Sequence, residues 1–248
     1  MDPAFQKDFL RDFKRRNAGP ALALFGKHPA WNDHMDDFGL ATPALRTCKR
    51  LLYLQGIAAN AARQQVEGVP VTPYRHFLLW FRGQEALLIR LVESEDGRSR
   101  GYFPLVAALH FEMAAADAVL RRLLPGLRAF VDEARALASR DAVRDRHSQA
   151  QAQLAAECRQ AGSELSNAAP KEEEAAALRE VMAAPAFATR SVPLSRYDHA
   201  ETLAAAVSAG AATGSDKPFI AALGDAASSV TLAAGEPEKT DFWFLRSS

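Results

Sequence analysis

Apolar residues in the first half of the chain fall into short uninterrupted runs, a pattern that predicts buried strands. Ala21 to Phe25 is the first, stopped by Gly26. His76 to Arg82 and Ala86 to Glu93, separated by Gly83-Gln84-Glu85, predict an antiparallel hairpin, and Tyr102 to Phe111 adds a third strand. Strands joined by short loops favour a meander and an antiparallel sheet over a doubly wound parallel one. Near the C-terminus, Phe219 to Leu223, Ser228 to Ala233 and Asp241 to Leu245 predict further strands, so the chain is expected to end on sheet.

Between these runs the spacing turns helical. Thr42 followed by Pro43 is an N-cap with proline at the first helical position, and it opens a helix whose core face carries Leu45, Leu51, Leu52, Leu54, Ile57 and Ala61. A second helical pattern runs from Ala115 to about Arg140 through Val119, Leu123, Leu127, Phe130 and Leu137, with Pro125 predicting a kink or break. Residues 141–190 hold few large apolar side chains and read as a peripheral helical insertion. A further helix is expected near Ala200 to Ala212.

Phe5, Phe9 and Phe13 share one face of a short helix among Lys7, Arg11, Lys14, Arg15 and Arg16. This N-terminal arm over residues 1–19 suits packing on its own domain, docking to a partner, or recruitment to a membrane surface. The expected fold class is therefore α+β. It comprises a mainly antiparallel sheet flanked by helices in one domain over 20–248, with the insertion at its edge.

Composition narrows the function classes. With 248 residues, 48% of them hydrophobic, the chain can bury a sufficient core without staples. Lys+Arg and Asp+Glu are both 30, so no net charge draws the chain to nucleic acid or anionic lipid. Cys48 and Cys158 lie far apart in helix-like segments and read as two reduced thiols. No run approaches the ~20 apolar residues needed to cross a bilayer, and a cytoplasmic location is expected.

Chemistry-bearing residues concentrate after the first strand, in Gly26-Lys27-His28-Pro29-Ala30-Trp31-Asn32-Asp33-His34-Met35-Asp36-Asp37. His28, Asp33 and His34 carry metal-ligating atoms, so a metal-dependent enzyme or metal-binding protein is one alternative, although no His-x-x-x-His or Cys pair fixes a geometry. Asp36 and Asp37 could act as acid and base only if burial split their pKa values. Neither cysteine nor any serine has the setting of an activated nucleophile. Gly26-Lys27 lacks the upstream glycines and the following Ser or Thr of a P-loop, and no motif calls for a cofactor. Trp31, in a polar loop, is the aromatic expected to anchor an interface.

Gly26-Lys27-His28-Pro29, with Asp33 four residues beyond the proline, resembles the opening Gly-Lys-x-Pro-x-x-x-Asp motif of the TagF (ImpM) family, accessory proteins of bacterial type VI secretion. The stretch Asp96 to Leu105, with Arg98, Arg100, Gly101, Tyr102, Phe103, Pro104 and Leu105, looks like that family's Gly-Arg-x-Phe-Pro segment, with arginine here preceding glycine. His34 departs from the family, which has an aromatic residue there. The resemblance implies a non-enzymatic, post-translational regulator that engages a cytoplasmic forkhead-associated scaffold. The partner-binding residues it points to are Lys27, Trp31, Asp33, Arg98 and Arg100, with Gly26, Pro29, Gly101, Phe103 and Pro104 shaping the loops.

Overall fold

The computed structural model describes residues 20–68, 74–82, 85–101, 103–112, 116–161, 172–193, 199–212, 217–225, 228–238 and 241–246. The proposed N-terminal arm lies outside them, as do the Gly83-Gln84 turn and Tyr102.

Seven strands form one antiparallel sheet: β1 (Ala21–Gly26), β2 (Arg75–Arg82), β3 (Glu85–Val92), β4 (Leu105–Glu112), β5 (Ala188–Pro193), β6 (Phe219–Gly224) and β7 (Ser229–Ala234). Their order across the sheet is β1-β4-β3-β2-β6-β7-β5. The α+β class and the meander β2-β3-β4 follow the sequence pattern.

The apolar runs are continuous because both faces of the sheet are covered, so alternate residues enter two different cores. On β2, Phe77, Leu79 and Phe81 face one core while Leu78 and Trp80 face the other. The first core lies beneath α3 (Ala116–Ala136), α4 (Arg140–Ala161), α5 (Glu172–Ala183) and α6 (His199–Ala212). The second lies beneath α1 (Pro43–Cys48), a π-helical segment (Lys49–Ile57), α2 (Ala58–Glu67) and a 3-10 turn (Asp241–Arg246). Thr42 caps α1, its hydroxyl accepting from the Leu45 amide at 3.3 Å, as the Thr-Pro pair predicts.

One expected strand is corrected. Asp241–Arg246 is a 3-10 helix and not a strand: the Asp241 carboxylate accepts from the Glu238 amide at 2.6 Å, and Phe242 and Leu245, three apart, turn to the same core. Of the kink or break expected at Pro125, the break is absent, because Pro125 sits inside α3. Residues 141–190 pack onto the core: α4 buries Val143, His147, Ala150 and Leu154, and β5 forms one edge of the sheet.

α4 also covers the outer edge of β1. The Gln151 side chain accepts from the Leu22 amide at 2.5 Å and donates to the Pro20 carbonyl at 2.8 Å. His147 meets the Leu22 carbonyl at 3.0 Å, and the Leu24 amide and carbonyl bond Phe38. An edge whose backbone groups are spoken for cannot template another strand.

Candidate functional site

β1 delivers the first motif and the β3–β4 connection delivers the second, and the two meet because β1 and β4 are paired. Gly26 and Leu105 are the last register partners. Gly26 has φ +125°, and a Cβ there would lie 2.3 Å from the Pro104 carbonyl oxygen, so only glycine permits this approach. The Lys27 amide donates to that same carbonyl at 3.2 Å, and the Met35 amide closes the loop onto the Gly26 carbonyl at 2.9 Å.

Asp96 organises the junction. It is 1% exposed, and its carboxylate accepts from Lys27 Nζ at 2.7 Å, Arg100 Nε at 2.8 Å, the Arg98 amide at 2.9 Å and the Arg100 amide at 3.1 Å. A carboxylate has about four lone-pair positions, so this one is fully satisfied by its own chain. Lys27, 4% exposed, divides its ammonium between Asp96 and Asp33, the latter at 2.9 Å. Arg100 reaches back across the junction to the Asn32 carbonyl at 2.8 Å. Gly97 fits beneath the first loop, its amide donating to the Trp31 carbonyl at 2.6 Å.

These contacts shift the carboxylates predictably. The hydrogen bond from Lys27, and then its charge, hold Asp33 at about 2. Burial alone would raise Asp96, but the hydrogen bonds from Lys27 and Arg100 outweigh it and its pKa falls below the ordinary carboxylate range. Burial lowers His28 and His147, against hydrogen bonds to the Ala134 and Leu22 carbonyls. All four groups have folded pKa values below their unfolded ones, so each contributes stability at higher pH that is lost as pH falls. Urea midpoints are expected to decline first below about pH 6.5 as the unfolded histidines protonate, and again below about pH 4 toward 2 as the carboxylates do. A midpoint flat from pH 7 to 3 would contradict the assignment.

The candidate residues thus separate into two groups. Lys27, Asp33 and Arg100 form one network that holds the loops together. Trp31 is not an exposed anchor: it is 3% exposed, donates through Nε1 to Asp36 at 3.2 Å, packs edge-on to His28 at 5.2 Å, and lies under the Arg140 guanidinium of α4. Arg98 contributes its backbone amide to Asp96 and exposes its side chain.

The metal alternative meets a geometric obstacle at His28. Its Nδ1 accepts from the Ala30 amide at 3.1 Å, which leaves Nε2 to donate to the Ala134 carbonyl at 2.8 Å. Both ring nitrogens are engaged inside the fold. His34 Nδ1 lies 3.2 Å from Asp33 on the surface, and among the described residues no group of three or more His, Cys, Asp or Glu is placed to hold a metal ion. Burial pushes both thiols, Cys48 and Cys158, up to about 12, which disfavours the nucleophilic thiolate.

Two features carry roles that the sequence does not assign. One is Asp96, whose signal is an Asp-Gly turn followed by two arginines. The other is the π-helical segment, which sets Tyr53 against His34, Phe103 and Phe25 with ring centroids 5.6, 5.7 and 5.6 Å away. Gly56 in that segment leaves room for the Phe242 ring, 2.4 Å from where a Cβ would stand.

Beside the locked loops lies a cavity of ≈ 450 Å³ lined by Pro29, Glu93, Ser94, Glu95, Gly101 and Arg135. Pro29 comes from the first motif and Gly101 from the second. Ser94 Oγ is buried without a hydrogen-bond partner among the described residues. Arg135 donates to the Glu93 carbonyl at 3.1 Å and closes the far side.

Among the described residues no helix is long and apolar enough to cross a membrane. Comparison with protein-family models gives no match, and comparison with curated proteins gives none.

Proposed function

We propose that this chain is a non-enzymatic, protein-binding regulator, related to the TagF (ImpM) proteins of type VI secretion, that engages a cytoplasmic forkhead-associated scaffold. The observation that carries this reading is the meeting of the two motifs. Their charged members, Lys27 and Arg100, are spent on Asp96 inside the junction, while Pro29 and Gly101 stand at the wall of one cavity. Side chains committed to fixing a loop pair are not poised to exchange protons or attack a substrate. A loop pair fixed in advance loses little freedom on binding, which favours a recognition surface.

The rim supports the same reading. Glu95 lines the cavity, and Asp33 and Arg98 are exposed on the two motif loops, a mixed-charge surface of the kind that borders protein interfaces. Gly101 gives a clean probe, because a Cβ there meets nothing nearer than the Ser94 carbonyl oxygen at 3.7 Å. Gly101→Phe is therefore expected to leave thermal stability within a few degrees of the parent while filling the cavity.

Titration calorimetry with a purified forkhead-associated scaffold from the same cell checks the proposal. Binding by the parent chain, weakened about tenfold or more by Gly101→Phe and by Arg98→Glu, is the expected result. Equal affinity for all three would move the interface elsewhere on the molecule, and no binding by the parent would remove the scaffold as partner.

A further inference from the structure

The two edges of the sheet differ. β1 is covered, with Gln151, His147 and Phe38 on its outer backbone groups. β5, at the other end, pairs with β7 on one side only, and among the described residues no hydrogen bond reaches its outer backbone groups. In an antiparallel ladder about half of an edge strand's N–H and C=O groups point away from its neighbour, so this edge is a template for one more strand. We infer that it pairs with β5 of a second copy of the chain, antiparallel and about a two-fold axis, joining two seven-stranded sheets into one.

β5 lacks the devices that keep a natural edge from pairing. Such strands are shortened, given unpaired charge, or interrupted by proline. β5 has six residues, as many as β1, β6 and β7. Pro193 is its last residue and leaves the amides from Ala188 to Val192 in place. Its single charge, Arg190, lies 3.7 Å from Glu180 of α5, which offsets it.

The charges at the edge select the occupant. Ala188, Arg190 and Val192 share the face that α5 covers, while Thr189 and Ser191 point to the other. Arg190 and Glu180 are each more than half exposed, so they hold each other loosely and stand as one cation and one anion beside the open edge. A two-fold axis sets the same pair opposite in reverse order, so each Arg190 can meet Glu180 of the other copy. A strand of one strong sign would satisfy one of the two and repel the other. On the second face Ser191 Oγ lies 3.1 Å from Thr231 Oγ1, a cross-strand hydroxyl pair, and Thr189 and Ser191 are exposed to continue such pairs across the new junction. A six-residue edge with one flanking helix is a small contact beside the about 1,200–2,000 Å² of stable interfaces, so the association is reversible.

Sedimentation equilibrium of the intact chain over a concentration series tests this. A monomer–dimer equilibrium is expected, with amide exchange over β5 slowing as the dimer fraction rises. Arg190→Glu places like charges together twice in a two-fold dimer and is expected to weaken it at least about tenfold, and the charge swap Arg190→Glu with Glu180→Arg to restore it to within about threefold of the parent. Both positions are exposed, and melting temperatures close to the parent's confirm that each variant folds. A monomer at every concentration, a dimer indifferent to Arg190→Glu, or a dimer that leaves β5 exchange unchanged would each overturn the inference. So would β5 amides slowed only when a scaffold protein is added, which would give the edge to a strand from another protein.

Discussion

Lys27→Met is expected to lower the unfolding free energy by about 3 kcal/mol, read from urea denaturation at pH 7. Removing one partner of a buried ion pair costs about 3–5 kcal/mol, because the other charge stays buried. The lower end applies here, since Arg100 and two amides still attend Asp96 after Lys27 is gone. Methionine keeps most of the aliphatic stem, so the measured loss reports the ammonium and not packing. The variant also separates two roles for the first motif. A loss of this size with scaffold binding preserved at low temperature makes Lys27 an internal strut, whereas a loss below about 0.5 kcal/mol would mean the junction holds without it.

Trp31→Ala is the second large effect. Truncating a buried aromatic residue costs about 3–5 kcal/mol through lost burial and the cavity left behind. Trp31 adds an indole hydrogen bond to Asp36, the edge contact with His28, and the stacked Arg140 guanidinium. A melting temperature lowered by several degrees, with near-ultraviolet circular dichroism altered, is the expected result. A variant as stable as the parent would return Trp31 to the surface role its polar neighbours in sequence suggest. Because Arg140 opens α4, the same substitution is expected to loosen the start of that helix, visible as faster amide exchange over its first turn.

The contrast at Trp31 shows what sequence reading reaches and where it stops. Its neighbours Asn32, Asp33 and His34 are exposed, so local composition reads as a polar loop. Its burial comes from Phe38 and from Arg140, more than a hundred positions away, and no local pattern carries that. The packing of α4 is quiet in the sequence for a related reason. Its core face is built from Ala150, Ala155 and His147 as much as from Val143 and Leu154, and small residues permit close packing while leaving little hydrophobic signal. β5 shows a single buried residue, Val192, so its pairing with β7 is almost silent in the sequence.

The strands buried on both faces were legible because almost every position must be apolar, and β1, β2, β3, β4 and β6 read that way apart from the buried His76, Arg90 and His110. Asp241 to Leu245 misled for the same cause, since a short apolar run does not distinguish a strand from a tight helical turn. At the site, Gly26, Lys27 and Asp33 were recognisable as a motif, and Asp96 stood at the start of the second one, but nothing local assigned it the role of joining the two. A single carboxylate in a turn looks solvated until the chain is folded around it.

The strand order has a consequence for how the chain is made. β2 pairs on one side with β3, its immediate successor, but on the other with β6, which begins at Phe219. During synthesis the β2-β3-β4-β1 half can assemble early, from contacts within residues 21–112, yet it must wait for about 107 further residues, at roughly 5–20 residues per second, before its second flank is closed. Throughout that interval the strand Phe77-Leu78-Leu79-Trp80-Phe81 presents open backbone groups beside bulky apolar side chains, the combination most prone to pairing with a neighbouring nascent chain. The nascent chain is therefore most in need of a holding chaperone while α3 to α6 are being made, well after the motif loops have already met.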